Sequence, residues 1–293
     1  MNRPGIHLRN SLHASLLLFL AITAEAVAPP RPGTGLSLRA ETRRAFETYV
    51  AGTEAKNTHD LQGGKFLWID DAGEADKNEA YAKLKRGEVL MQRITGPDRN
   101  SDIPGGMVHD WEGLIFIPGA KLDDVLQLLQ DYDHQATYFA PDVERSRIEE
   151  HNGDHYRVFL RFRRKNIITV VLDTEHEITY FRDSATRAHS RSSAIRIAEV
   201  DNPGETSEKD KTPGQDNGFL WRMETWWRME EKDGGVYIQN QAVSLTRDIP
   251  IGLGWAVEPF ITSIPKESLA FTLGAIRKEA LRRTKAISGR LSP

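Results

Sequence analysis

From Trp111 onward the chain alternates apolar and polar residues in long runs broken by turn-forming clusters, the period-two signature of strands with a buried face. Strands are expected over residues 111–117, 143–150, 156–163, 167–181 and 187–200. The core face of the third run is Tyr156, Val158, Leu160 and Phe162. The period changes to that of a helix after Pro118-Gly119, where Leu122, Val125, Leu126 and Leu129 share a stripe opposite Asp123, Asp124, Gln127 and Gln130. Upstream, Leu38, Thr42, Ala45, Phe46, Tyr49 and Val50 stripe a helix over 37–57 that Ser37 can cap. Phe66 to Ile69 is a short strand or plug, 75–85 a polar helix stopped at Gly87, and 88–94 a strand. Residues 96–106 and 201–218 read as loops, the second solvated and mobile because it has no large apolar residue.

Two further strand runs, 219–230 and 236–247, flank Asp233-Gly234-Gly235 and form a hairpin whose register the loop sets. A three-residue loop pairs Lys232 with Val236 and sets Met223 opposite Leu245 and Thr225 opposite Val243. A two-residue loop instead sets Met223 opposite Ser244 and Arg222 opposite Leu245. If one face is buried, the first register is preferred because it keeps apolar residues together. It points Trp221, Met223, Thr225 and Trp227 inward beside Val243 and Leu245, and Trp226 outward toward the N-terminal extension. The last element carries Trp255, Val257, Phe260, Ile261 and Ile264 before Pro265, and Leu269, Leu273, Ile276 and Ala280 after it. Because Pro259 and Pro265 oppose a continuous helix, the expectation is a short turn and then a long helix from about Pro265 to Arg283.

The 293 residues carry a net charge of -3 with both signs interspersed, which argues against a nucleic-acid surface. With no cysteine there is no disulfide framework, thiolate metal site, Cys nucleophile or Cys-linked lipid anchor. Arg3, His7 and Arg9, the apolar run 15–22 and Ala24-Glu25-Ala26 read as a signal peptide over 1–26, so the chain is expected to be exported, to a periplasm or outside the cell. The organisation read is a leader, an extension over 27–106, a main domain over 107–285 and a tail over 286–293.

Strand, helix, antiparallel strands and a long C-terminal helix follow the order of the helix-grip fold. On that order, on Gly113-Leu-Ile-Phe-Ile-Pro-Gly119 before an amphipathic helix, and on Ile264-Pro-Lys-Glu-Ser-Leu269, residues 107–283 resemble the START-related, polyketide-cyclase-like (SRPBCC) group. The resemblance implies an α+β fold with a curved sheet around the last helix, an apolar tunnel between them, and a lipid or other hydrophobic ligand. A minority of that group are enzymes.

Residues that could do chemistry do not assemble into a recognisable site. His109-Asp110 opens a strand and is read as structural; Asp131, Asp133 and His134 diverge at a helix end. His151 and His155 flank a hairpin tip, and Ser192 and Ser193 have no His partner in sequence. Arg161, Arg163, Arg164 and Lys165 read as an exposed basic face, and Arg196, Arg222, Glu224 and Arg228 as a cross-strand ion network. No cofactor or metal is expected. The function expected is binding or transport of a hydrophobic small molecule or lipid, with transient membrane contact and walls formed by Trp221, Met223, Trp227, Leu160, Phe162, Leu245, Leu273 and Ile276. The alternatives are a cyclase- or hydrolase-type enzyme using Glu224, His109 and Arg196, or a structural protein whose cavity is filled by its own side chains.

Overall fold

The computed structural model describes residues 36–94, 102–165, 169–248 and 254–290, the side chains of the last stretch over 265–286. The leader read over 1–26, the proline-rich stretch after it and residues 96–101 of the first loop lie outside the described residues. So do the side chains of Trp255, Val257, Phe260, Ile261 and Ile264.

In chain order the elements are β1 (Leu36–Ser37), α1 (Ala40–Gln62), a 3-10 turn at Trp68–Asp71, α2 (Glu74–Lys85), β2 (Leu90–Arg93), β3 (Asp102–Ile103) and β4 (Gly106–Pro118). Then come α3 (Leu122–Gln130), α4 (Gln135–Tyr138), β5 (Val143–Asn152), β6 (His155–Lys165), β7 (Thr169–Arg182) and β8 (Arg187–Asp201). The chain ends with β9 (Lys209–Asp210), β10 (Gln215–Asp216), β11 (Arg222–Lys232), β12 (Gly235–Arg247) and α5 (Gly254–Arg290). The main sheet is antiparallel, in the order β2-β4-β12-β11-β8-β7-β6-β5, with β3 on β4 and β9 on β8. It curves around α5, which packs chiefly on β4 and also meets β12, α3 and α4. This is the α+β helix-grip architecture.

Along β12 both faces of the sheet are buried, and that overturns the hairpin register preferred from sequence. On β12 the even positions Val236 and Ile238 join α3 and α5 in the concave core, while the odd positions Tyr237, Val243 and Leu245 lie under α1 and the 3-10 turn. Where both faces are apolar, keeping one face apolar cannot select a register. The turn selects it: Asp233 (φ 57°) and Gly234 (φ 74°) are both left-handed, the two-residue type I′ turn that matches strand twist. Lys232 therefore pairs with Gly235, Met223 with Ser244 and Arg222 with Leu245.

Helix α1 lies on the convex face more by polar contacts than by an apolar stripe. Its buried residues are Thr42, Phe46, Asn57 and Asp60. Arg228 of β11, 4 % exposed, donates to Asn57 Oδ1 at 2.6 Å and to the Phe66 carbonyl at 3.0 Å. Asn57 in turn donates to Gln241 Oε1 at 3.0 Å, and Gln241 donates to Asp110 at 2.9 Å. Ser37 does not cap α1; it pairs with Gln215, and Arg39 precedes the helix.

Two other expectations change. Helix α5 runs through both prolines rather than starting near Pro265. The loop over 201–218 is pinned: β9 pairs with Val200 and Asp201, β10 pairs with β1, and Asn217 donates to Glu199 at 2.8 Å. It needs no large apolar residue because buried carboxylates, Glu199 and Asp216, hold it. At the far edge, β5 carries Glu144, Arg145, Arg147, Glu149 and Glu150 and breaks register with β6 twice, at Val143/Arg145 and Ile148/Glu150.

Candidate functional site: the concave face

The concave face is filled at one end and thinly covered at the other. At the filled end Ile117, Val236, Met229, Ala188, Tyr180 and Tyr156 pack with α3 and the C-terminal half of α5. Asp131 locks that end: it accepts from Tyr138 Oη at 2.5 Å, Arg283 at 2.9 Å and His134 Nδ1 at 2.6 Å. Burial raises the Asp131 pKa, but those three donors outweigh it and hold the carboxyl below its ordinary value.

Toward the other end the central strands offer small side chains where the filled end has large ones. Thr225 of β11 pairs with Ala242 on one side and Ser192 on the other; Trp227 pairs with Asn240 and Ser190. Ser244 and Ala194 extend this floor of small side chains along their strands. Around it stand Trp111, Met223, Trp227, Leu160 and Phe162, all only partly buried. Large apolar side chains are thus left half-covered beside a floor of Ala, Ser and Thr.

Four of the expected wall residues, Met223, Trp227, Leu160 and Phe162, project from this face. Leu273 and Ile276 face the same side from α5 but are 0 % and 1 % exposed and packed into the core. Trp221 and Leu245 are corrected: both lie on the convex face, clustered with Phe46, Val108, Trp226 and Val243. Trp221 precedes β11, donates its backbone N–H to the Leu245 carbonyl at 2.8 Å and its indole N–H to Asp216 Oδ1 at 2.9 Å. Leu245 moved with the register. Trp226 also lies there, its indole donating to Glu54 at 2.7 Å.

The polar groups of the concave face are few and buried. His176 Nε2 lies 2.9 Å from Thr174 Oγ1, whose single proton goes to the Leu160 carbonyl at 2.9 Å, so His176 is the donor. Burial lowers its pKa to about 4, and it sits edge-on to Phe162. Trp111 Nε1, His109 Nδ1 and Ser190 Oγ are buried with no hydrogen-bond partner among the described residues. Trp111, Thr174 and His176 were missed from sequence. The available signal was Ala188, Ser190, Ser192 and Ala194: small residues at every second position of β8.

The residues considered for catalysis do not converge. His109 and Asp110 take opposite faces of β4, and Asp110 accepts from Tyr49 Oη at 2.8 Å on the convex side. Glu224 is held on that side by Arg191 and Ser193, and Arg196 by Asp210. Of the three, His109 alone faces the concave side. The expected network of Arg196, Arg222, Glu224 and Arg228 does not form as one; each has different partners. Nor is Arg161 exposed: it is buried in a two-pronged pair with Asp173, 2.6 Å on each arm, and also meets Glu208. His151 contacts the Gly153 carbonyl and stacks on Tyr156, and His155 bonds Thr179. Among the described residues no group of three or more His, Cys, Asp or Glu side chains could hold a metal.

A second recess, about 340 Å³, lies on the convex side between Leu61, Phe66, Asp183, Ser184, Thr186, Arg187 and Glu230. Arg187 occupies it, over the Phe66 ring at 5.0 Å and paired with Glu230 at 2.6 Å.

No protein-family model and no curated protein matches the sequence. Among solved structures the chain is similar to a fragment of a STAR-related lipid transfer protein from Xanthomonas axonopodis, at 18 % identity and TM-score 0.42, over 65 % of this chain and 98 % of that one. It is similar to the Zhui aromatase/cyclase of Streptomyces sp. R1128, at 16 % identity and TM-score 0.40, over 60 % and 95 %. The likeness extends to human STARD10, at 8 % identity and TM-score 0.41, over 74 % of this chain and 85 % of that chain.

Proposed function

We propose that the protein binds a hydrophobic small molecule or lipid on the concave face, between α5 and the floor formed by β12, β11 and β8. The observation that carries the reading is the juxtaposition of half-buried Trp111, Trp227, Met223, Leu160 and Phe162 with the small residues Thr225, Ala242, Ser244 and Ser192. Covering that apolar area with a ligand is favourable at roughly 25 cal/mol per Å². Carriage rather than turnover is the better-supported role, since neither His109 nor His176 has a carboxylate partner among the described residues. The leader-like first 26 residues support export, and a carrier of this kind would load and unload by transient contact with a membrane.

Native mass spectrometry of protein isolated from the cells that make it, followed by solvent extraction, tests the reading. A co-purifying apolar molecule, exchangeable for 1-anilinonaphthalene-8-sulfonate or a fatty acid, is the expected result. A folded chain that carries nothing and takes up none of fatty acids, sterols or the fluorescent probe would sink it.

A further inference from the structure

Residues His109 and Trp111 stand two apart on β4, so both project from its concave face. They flank Ser244 and Ala242, their direct partners on β12. His109 is 1 % exposed, and its Nε2 lies 3.0 Å from Thr246 Oγ1. That hydroxyl has one proton and gives it to the Arg247 carbonyl at 3.1 Å. Thr246 Oγ1 is therefore the acceptor, and His109 Nε2 carries the ring proton. Burial, reinforced by the charge of Arg93, lowers the His109 pKa to about 4, so above that pH the ring is neutral and Nδ1 presents a lone pair. Trp111 Nε1 can only donate. Both atoms are buried and have no partner among the described residues. The cluster thus holds one unused acceptor and one unused donor, beside the half-covered apolar side chains and at the edge of the small-residue floor.

Leaving a buried polar atom unpaired is costly, on the order of 1–3 kcal/mol for each. Two such atoms of opposite character on one face of one strand are poorly explained by packing, because Phe or Leu would fill either position at less cost. We propose, resting on the reading of the concave face as a ligand site, that the His109–Trp111 pair recognises a hydroxyl group on an otherwise apolar ligand. A hydroxyl both donates and accepts, so it satisfies His109 Nδ1 and Trp111 Nε1 together. A hydrocarbon satisfies neither. An ether or ketone answers Trp111 alone. A carboxylate has no proton for His109 and sets a negative charge against its lone pair. The ligand's polar end then lies against β4, and its apolar body runs across the floor toward Trp227, Leu160 and Phe162.

The test uses the full chain at pH 8 and three probes of equal length, 1-dodecanol, dodecyl methyl ether and dodecane, each competing with 1-anilinonaphthalene-8-sulfonate. The alcohol is expected to compete about ten-fold better than the ether, the ratio that one well-made hydrogen bond supplies. His109→Phe and Trp111→Phe, each checked for a native unfolding transition, are expected to act differently: the first brings the alcohol down to the ether, and the second weakens alcohol and ether alike and keeps their ratio. Equal competition by alcohol and ether in the unsubstituted chain overturns the hydroxyl assignment and leaves the apolar site standing. No competition by any of the three overturns the site as well. The comparison in the unsubstituted chain does not depend on either variant folding.

Discussion

A Cβ built on Gly113 would stand 2.3 Å from Cδ1 of Leu273 and 2.9 Å from Sδ of Met91. Helix α5 therefore crosses β4 with a leucine resting directly on sheet backbone, and that contact sets how closely the helix approaches the concave face. Leu273 is 0 % exposed and cannot swing aside without displacing its neighbours. Gly113→Ala is expected to cost about 1–3 kcal/mol in urea unfolding, as overpacking does. Combining it with Leu273→Ala should recover part of that loss, which a double-mutant cycle would read as coupling.

The two faces of the β11–β12 hairpin should separate binding from stability. Trp227→Ala is expected to weaken binding of an apolar probe at the concave face several-fold. Trp221→Phe should leave probe binding unchanged and lower stability by about 1–2 kcal/mol, because Asp216 loses the indole donor. Parallel probe titrations and denaturant melts check both; a loss of binding in Trp221→Phe would contradict the placement of that residue.

If the floor of small residues is uncovered, filling it should be tolerated. Thr225→Trp and Ala242→Phe are expected to block probe binding while leaving the thermal midpoint unchanged or higher. A closed core would instead lose about 1–3 kcal/mol to overpacking. Calorimetry of the two variants distinguishes the outcomes.

His109 and His176 both titrate at about 4 in the folded chain, against an ordinary 6.5. Between those values the unfolded chain binds protons that the folded chain excludes, so stability is fully present above pH 6.5 and falls as the pH drops toward 4. The loss is on the order of 3 kcal/mol per ring. Buried Glu112, its pKa raised chiefly by burial, acts in the opposite sense, its contribution falling as the pH rises above the ordinary carboxyl value. Urea midpoints measured from pH 7.5 down to 5 should fall, and His176→Leu should flatten the profile by about half.

The convex clamp is the last case. Arg228→Met strips the carbonyl of Phe66 and Oδ1 of Asn57 of their buried charged donor. The expected cost is about 2–3 kcal/mol. Faster limited proteolysis between α1 and α2 should accompany it, since that connection is what the guanidinium holds.

Period-two alternation and turn residues made most strands and their order legible, and the amphipathic stripe of α3 was equally plain. What was hidden came from partners distant in sequence. The register around Asp233-Gly234 could not be chosen by asking which face is apolar, because α1 turns the outside of the sheet into a second interior. Leu245 was misplaced for that reason, and Trp221 because it precedes β11 and does not share the strand's alternation. Asp216, in a loop read as solvated, and Arg161, read as exposed, are each buried against a specific partner that spacing alone does not identify. The proposed site was sought in large residues, Trp and Met, whereas the feature that marks it is the run of small ones, Ser190, Ser192, Thr225 and Ala242.

The outermost strand bears on the chain's fate in a crowded solution. Among the described residues β5 has no strand on its outer side, the arrangement through which sheets in different molecules join; the segment 132–138 packs there instead, and Asp133 accepts from the Ile148 backbone N–H at 2.8 Å. Glu144, Arg145, Arg147, Glu149 and Glu150 line that margin, and two bulges bend it out of step. A strand approaching from another copy would meet charged side chains already held in ion pairs and a ladder it could not follow. A protein with half-covered apolar side chains on its concave face is thereby kept from growing into fibrils along its own sheet.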